Sequence, residues 1–145
     1  MEALSVRFTN RGWTPSYEGS ITVHGVLRTE ADGLVLEFSA TENYWGVKPT
    51  VETGIRTNSI PWTDLQSITY QPRLLGWGGS LFLRTRSLRA LDGLPTARGS
   101  EIRLSIPRAE RLDARDLAAT VEMVLADRRL AALEAPYSPP ALPPS

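Results

Sequence analysis

The chain of 145 residues contains one histidine, His24, and no cysteine. The lack of cysteine removes disulfides, a thiolate nucleophile and cysteine-based metal sites. Ser-His-Asp catalysis would have to use His24, and no Gly-x-Ser-x-Gly elbow accompanies any serine. His24 lies on the same face of a predicted strand as Thr22 and Arg28, which favours a solvated strand residue over a general base.

The carboxylates and the glycines offer little more catalytic chemistry. Glu30 and Asp32 fit a hairpin turn, and Asp113 and Asp116 fit a helix N-terminus, more simply than a metal site. The run from Gly76 to Gly79 joins strand to strand and lacks the Gly-Lys-Ser/Thr of a phosphate loop. The sequence therefore predicts a protein that is not an enzyme, holds no metal and needs no cofactor.

The best functional clue is a set of apolar residues on a predicted loop tip. This tip is Leu74, Leu75 and Trp77, set among Pro72 and three glycines that turn the chain but cannot pack a core. One alternative is that the tip folds back over the edge of the core. A second is a protein contact, with a second copy of the chain as the simplest partner. The third is shallow insertion into a membrane surface. We predict partner-binding residues at Leu74, Leu75 and Trp77, with Arg73, Arg84 and Arg86 as supporting charge.

Arginines follow the predicted tip. Residues 73 to 103 carry six arginines against Asp92 and Glu101, a balance of plus 4. Alternation alone would place such side chains outward on an open sheet, where they would be solvated. The alternative is a basic face that binds an anion or a nucleic acid, formed by Arg84, Arg86, Arg89, Arg98 and Arg103. Because Lys plus Arg equals Asp plus Glu over the whole chain, at 16 each, no nucleic-acid partner is expected.

Seven alternating segments and one helical segment must position these residues. The strands are predicted at Leu4 to Thr9, Ile21 to Arg28, Leu34 to Ser39, Val51 to Thr57, Ser67 to Gln71, Leu81 to Arg84 and Glu101 to Ile106. The segment from Asn10 to Gly19 is interpreted as a connection that buries Trp13 and Tyr17. A helix is predicted from an N-cap at Asp113 to about Ala132, with Leu117, Val121, Val124 and Leu125 on its apolar stripe.

This order predicts an α+β fold, with a seven-stranded curved antiparallel sheet or partly open barrel capped by one C-terminal helix. Residues 1 to 134 are predicted to form a single domain, and 135 to 145, with five of the eleven prolines, a flexible tail. The N-terminus has no basic start followed by an apolar run, and no segment approaches a membrane span. We therefore expect a cytoplasmic protein.

The chain resembles the pleckstrin-homology (PH) superfold, in particular its small bacterial members. The resemblance is carried by the stretch from Ile60 to Ile68, Ile-Pro-Trp-Thr-Asp-Leu-Gln-Ser-Ile, and by the strand Glu101 to Ile106 leading into the helix from Asp113. It covers roughly Tyr17 to Leu133. The C-terminal helix has no tryptophan, which eukaryotic members commonly place there. The resemblance implies a binding or assembly module that makes protein contacts, including contacts with itself.

Phosphoinositide-binding members of that superfold use Lys and Arg in the first hairpin. Here the hairpin from Arg28 to Gly33 carries Glu30 and Asp32, whose charges oppose a polyphosphate, so a phosphoinositide ligand is not expected. The other class of function is a small β-barrel that holds an apolar or anionic lipid-type ligand, as lipocalin-like proteins do. Gly12-Trp13 is one residue short of the Gly-x-Trp of that group. A ligand barrel would contain a connected cavity, whereas a PH-like core is packed solid.

Overall fold

Strands in a computed structural model of the chain form two antiparallel sheets, followed by one C-terminal helix. The structure describes residues 3–14, 18–45, 50–74 and 77–134. The elements are β1 (Ser5–Trp13), β2 (Gly19–Glu30), β3 (Gly33–Tyr44), β4 (Val51–Glu52), β5 (Arg56–Pro61), β6 (Leu65–Pro72), β7 (Gly79–Thr85), β8 (Glu101–Ile106) and α1 (Arg111–Glu134). The predicted α+β fold is confirmed. The predicted tail, 135 to 145, lies outside the described residues.

The first sheet has the order β1-β2-β3, and both β4 and β5 pair with β3. Glu30 lies opposite Gly33, so the predicted hairpin turn over Glu30 to Gly33 is formed, with Ala31 and Asp32 as its two central residues. The predicted strand Val51 to Thr57 is broken into β4 and β5, so the described residues contain eight strands. At the break, the Thr53 hydroxyl accepts a hydrogen bond from the Ala40 N–H at 2.9 Å. This side chain replaces a ladder partner, and the chain pairs with β3 again from Arg56 onward.

The second sheet has the order β6-β7-β8, and no strand ladder joins it to the first sheet within the described residues. The barrel is therefore partly open. The helix α1 packs against β6, β1 and β7 and caps it. The helix buries Ala114, Leu117, Ala118, Val121 and Leu125, which confirms the predicted stripe. The predicted N-cap at Asp113 is wrong. A 3-10 turn over Arg108–Glu110 leads the chain into a helix that begins at Arg111 and holds Asp113 in its first turn.

The two sheets are joined at a corner by Trp62. Its indole Nε1 donates to the Ala31 carbonyl at 2.9 Å, and its backbone N–H donates to the Asp32 carbonyl at 3.1 Å. Asp64 accepts a hydrogen bond from the Ser87 N–H at 2.8 Å, which ties the same corner to the end of β7. Trp62 is buried. The stretch that carries the family resemblance therefore fixes where the chain passes from one sheet to the other.

A second junction lies between β1 and β8, where Asn10 is buried. Its Nδ2 donates to the Arg103 carbonyl at 2.9 Å and to the Thr96 hydroxyl at 2.8 Å. Its Oδ1 accepts from the Ser105 N–H at 2.8 Å. One amide side chain thus takes the place of strand pairing along this seam.

The segment from Asn10 to Trp13 continues β1, so it is not the predicted connection. Trp13 is 61% exposed and packs edge to face against the equally exposed Trp45, with ring centroids 5.4 Å apart. The expectation that Trp13 is buried is wrong, because the ring lies at the end of the first sheet and outside its core. Tyr17 lies outside the described residues.

Candidate functional site

The predicted tip lies on the connection between β6 and β7. Leu74 is 89% exposed and Trp77 is 72% exposed, so neither side chain folds back over the core. Leu75 lies outside the described residues. A contact site needs apolar side chains that solvent can reach, and two of the three predicted residues meet that condition.

The base of the tip is held by backbone geometry. The Arg73 N–H donates to the Gly78 carbonyl at 3.0 Å, which closes the connection. Gly78 has a φ of 98°, and a Cβ at this position would collide with the carbonyl oxygen of Ile106 on β8. A glycine is therefore required where the tip returns to the sheet. The result is a fixed base beneath Leu74 and Trp77.

The structure separates the three arginines that were predicted to support the tip. Arg73 lies at the tip and is exposed. Arg84 pairs with Ser67 at the other end of the β6-β7 hairpin, about 17 Å along β7 from Gly79 at 3.4 Å per residue. Arg86 lies beyond the end of β7, where its N–H donates to the Asp64 carbonyl at 2.8 Å. Of the three, only Arg73 can assist a contact made by Leu74 and Trp77.

The start of α1 supplies neighbours of the tip that the sequence did not indicate. A cleft of about 780 Å³ between β6 and α1 is lined by Pro72 and Arg73 and also by Arg111, Leu112 and Arg115. Leu112 is 55% exposed and lies off the buried stripe of the helix. The sequence did contain a signal for Leu112. A helix buries only one face, so an apolar residue off the buried stripe is expected to be exposed.

The free edge of β6 beside this cleft is partly occupied by helix side chains. Glu122 accepts a hydrogen bond from the Ile68 N–H at 2.9 Å, and Arg129 donates to the Gln66 carbonyl at 2.8 Å. These bonds satisfy backbone groups that would otherwise be open to another strand. The cleft is therefore bounded by a protected edge, and its exposed apolar and basic groups lie toward the tip.

A larger cleft, of about 1140 Å³, lies on the outer face of the second sheet. Three of the five arginines of the predicted basic face line it, namely Arg84, Arg98 and Arg103, and it also takes in Arg11 from β1 and Arg73 from the tip. Arg86 and Arg89 do not line it. The sequence missed Arg11, because only the packing of β1 against β8 brings it to this face.

The arginines of this cleft differ in how they are held. Arg84 forms an ion pair with Glu101 on the neighbouring strand. Arg103 donates from Nε to the Ser80 hydroxyl at 2.9 Å, and its guanidinium carbon lies 5.5 Å from the centroid of the Phe82 ring. Within the described residues, Arg11, Arg73 and Arg98 form no ion pair.

The predicted first hairpin has its basic charge neutralised. Arg28 donates from Nε to Glu30 at 3.2 Å and from its terminal nitrogen to Glu37. The hydrogen bond with Glu37, and then the one with Glu30, raise the pKa of Arg28 above its ordinary value.

His24 is exposed on the outer face of the first sheet, and its Nδ1 lies 3.2 Å from the Thr9 hydroxyl.

Across residues 3–14, 18–45, 50–74 and 77–134, no three His, Asp or Glu side chains lie together as metal ligands would. In the same ranges, no helix combines the length and the apolarity that crossing a bilayer requires.

Comparison with protein-family models, with curated proteins and with solved structures finds no match to this chain.

Proposed function

We propose that this protein is a non-enzymatic binding or assembly module that makes protein contacts through the tip, with a second copy of the chain as the simplest partner. The observation that carries the proposal is the exposure of Leu74 and Trp77 on a fixed base. Burying large apolar side chains on association is favourable, at about 25 cal/mol per Å² of apolar surface. Tryptophan anchors with an adjacent arginine are frequent at the centre of protein interfaces.

A PH-like architecture is part of this proposal. Its support is the order of elements, with a first sheet of β1 to β5, a second sheet of β6 to β8 and a C-terminal helix that packs against both. The corner held by Trp62 lies in the stretch on which the resemblance rests. Domains of this class act as binding platforms, which agrees with a role without catalysis.

The interior gives less support to the alternative of a ligand-holding barrel. Side chains from both sheets and from α1 form one buried cluster, and many of them are fully buried, including Phe8, Leu36, Ile60, Leu104 and Leu117. Close packing of this kind leaves little room for an apolar ligand among those side chains. The ion-paired Arg28 likewise argues against a phosphoinositide at the first hairpin, since both of its carboxylate partners would have to be displaced.

The test is the solution mass measured by light scattering on a sizing column. Leu74→Ser combined with Trp77→Ser should convert an oligomer into a monomer. The matched control combines Met123→Ser and Leu130→Ser, which removes two apolar side chains of α1 that are 67% and 53% exposed. The control should leave the mass unchanged. Circular dichroism verifies that each variant is folded.

Two results would contradict the proposal. If the wild type is monomeric at every concentration tested, self-association through the tip is rejected. If the control variant dissociates the oligomer and the tip variant does not, the interface lies on α1. Co-sedimentation with vesicles addresses the membrane alternative, since loss of vesicle binding in the tip variant alone would identify a lipid surface as the partner.

A further inference from the structure

We infer that the arginine-lined cleft on the outer face of the second sheet is a separate binding site for an extended acidic segment of a partner protein. The inference rests on the proposed role as a binding module, and it concerns a surface that shares Arg73 with the tip but not Leu74 or Trp77. Among the described residues, five arginines and one glutamate line this cleft, a balance of plus 4 in a chain whose net charge is zero. The positive charge is therefore concentrated here by the fold.

The cleft contains unpaired donors at both ends. Arg73 lies at the end near the tip, and Arg98 lies beside Glu101 at the other end, where the two residues form an isolated bridge. Arg11 enters from β1 at the side. Because none of these three guanidinium groups has a carboxylate partner among the described residues, each is available for a bidentate bond with a carboxylate of a ligand.

The floor of the cleft carries small polar side chains on both sides of Phe82, which lies on the central strand β7. Ser67 and Thr69 from β6 and Ser105 from β8 line it, and Thr9 and Thr96 add hydroxyl groups at its side. Hydroxyls can bond the backbone of an extended peptide, while the arginines take its side chains. Along β7 the face from Gly79 to Arg84 is about 17 Å long, the length of about five residues of extended chain.

The aromatic content of the cleft favours an acidic peptide over a single-stranded nucleic acid. Single-strand binding proteins stack successive bases on several aromatic side chains. Among the described residues that line this cleft, Phe82 is the one aromatic side chain, and the guanidinium of Arg103 already lies against its ring. Carboxylates need only the arginines, which are abundant here.

An ion pair already present in the cleft shows how a carboxylate can bind there. Glu101 occupies Arg84 by an ion pair between neighbouring strands, so one carboxylate is accommodated without burial of either group. An incoming acidic side chain can make the same bond with Arg11, Arg73 or Arg98. The affinity should fall as salt is raised, because the groups are exposed.

The experiment measures binding of fluorescently labelled octaglutamate to the full chain by anisotropy, with a neutral Gly-Ser peptide and an oligothymidylate of matched length for comparison. Arg11→Glu combined with Arg98→Glu should weaken octaglutamate binding by about tenfold or more. The matched control combines Arg89→Glu and Arg128→Glu, which reverses two exposed arginines that line neither cleft and changes the net charge by the same amount. It should change the affinity by less than about twofold.

The inference is supported if octaglutamate binds saturably, binding weakens with salt, and only the cleft variant loses it. It is overturned if octaglutamate does not bind, or if the cleft variant and the control variant bind equally. Tighter binding of the oligothymidylate, lost in the same variant, would overturn it in favour of a nucleic acid. The tip variant should bind octaglutamate normally, so a failure at the tip and a failure at the cleft give different results.

Discussion

The buried amide of Asn10 should be one of the most costly side chains to remove, because among the described residues it is the one side chain that hydrogen-bonds β1 to β8. Asn10→Ala deletes three hydrogen bonds, two of them to the backbone of Arg103 and Ser105. At about 1 kcal/mol for each bond, the free energy of unfolding should fall by about 3 kcal/mol. Typical domains have about 5 to 15 kcal/mol in total, so this loss would be easily measured.

Urea denaturation followed by circular dichroism gives the required free energies. The matched control is Thr96→Val, which deletes one of the three bonds and leaves both backbone partners of Asn10 satisfied. It should cost about 1 kcal/mol. A loss below about 1 kcal/mol for Asn10→Ala, or equal losses for the two variants, would refute the reasoning that this amide replaces strand pairing. An unchanged m-value would verify that both variants unfold as the wild type does.

Gly78→Ala should destabilise the protein by about 1 to 3 kcal/mol, because the residue has a positive φ and lies against the Ile106 carbonyl. Gly54→Ala is its control, since a Cβ at Gly54 meets nothing within 4 Å; equal stabilities of the two variants in urea would contradict the assignment. Trp62→Phe should remove the blue-shifted, quencher-protected part of the tryptophan emission and cost about 1 kcal/mol through the lost bond to Ala31. Trp62 is 5% exposed, whereas the other three tryptophans are 61% to 72% exposed: Trp13, Trp45 and Trp77. An unchanged emission maximum and unchanged acrylamide quenching would show that another tryptophan is buried.

The turn that forms the tip could be predicted from local sequence, whereas the exposure of its side chains could not. The glycines around Leu74 and Trp77 predict a turn from local sequence alone, because glycine tolerates backbone angles and close approaches that other residues do not. The exposure of the two side chains depends on what packs beside the turn. At the base of the turn, Pro72 and Arg73 share a cleft with Arg111 and Leu112 at the start of α1, more than thirty residues further along the chain.

The basic face was also predicted only in part from the sequence. Alternation correctly predicted that Arg84 and Arg103 point away from Leu83 and Leu104, since successive side chains of a strand face opposite sides of a sheet. Alternation could not predict which arginines share a surface. The packing of β1 against β8 brings Arg11 to the cleft, and the end of β7 at Thr85 leaves Arg86 outside it.

The sequence by itself determined most of the elements and their inner faces, although the predicted face of the strand Val51 to Thr57 is not buried, with Ile55 80% exposed. The period of two marked the strands, and the period of 3.6 marked the buried stripe of α1, because each pattern depends only on the geometry of one segment. The tertiary structure decided the seam at Asn10, the corner at Trp62 and the division of the arginines. Each of these involves partners that are far apart in sequence: Asn10 bonds residues 86 to 95 positions away, and Trp62 bonds a carbonyl 31 positions away. No local pattern encodes such a partner, since it is chosen only when the two sheets and the helix pack together.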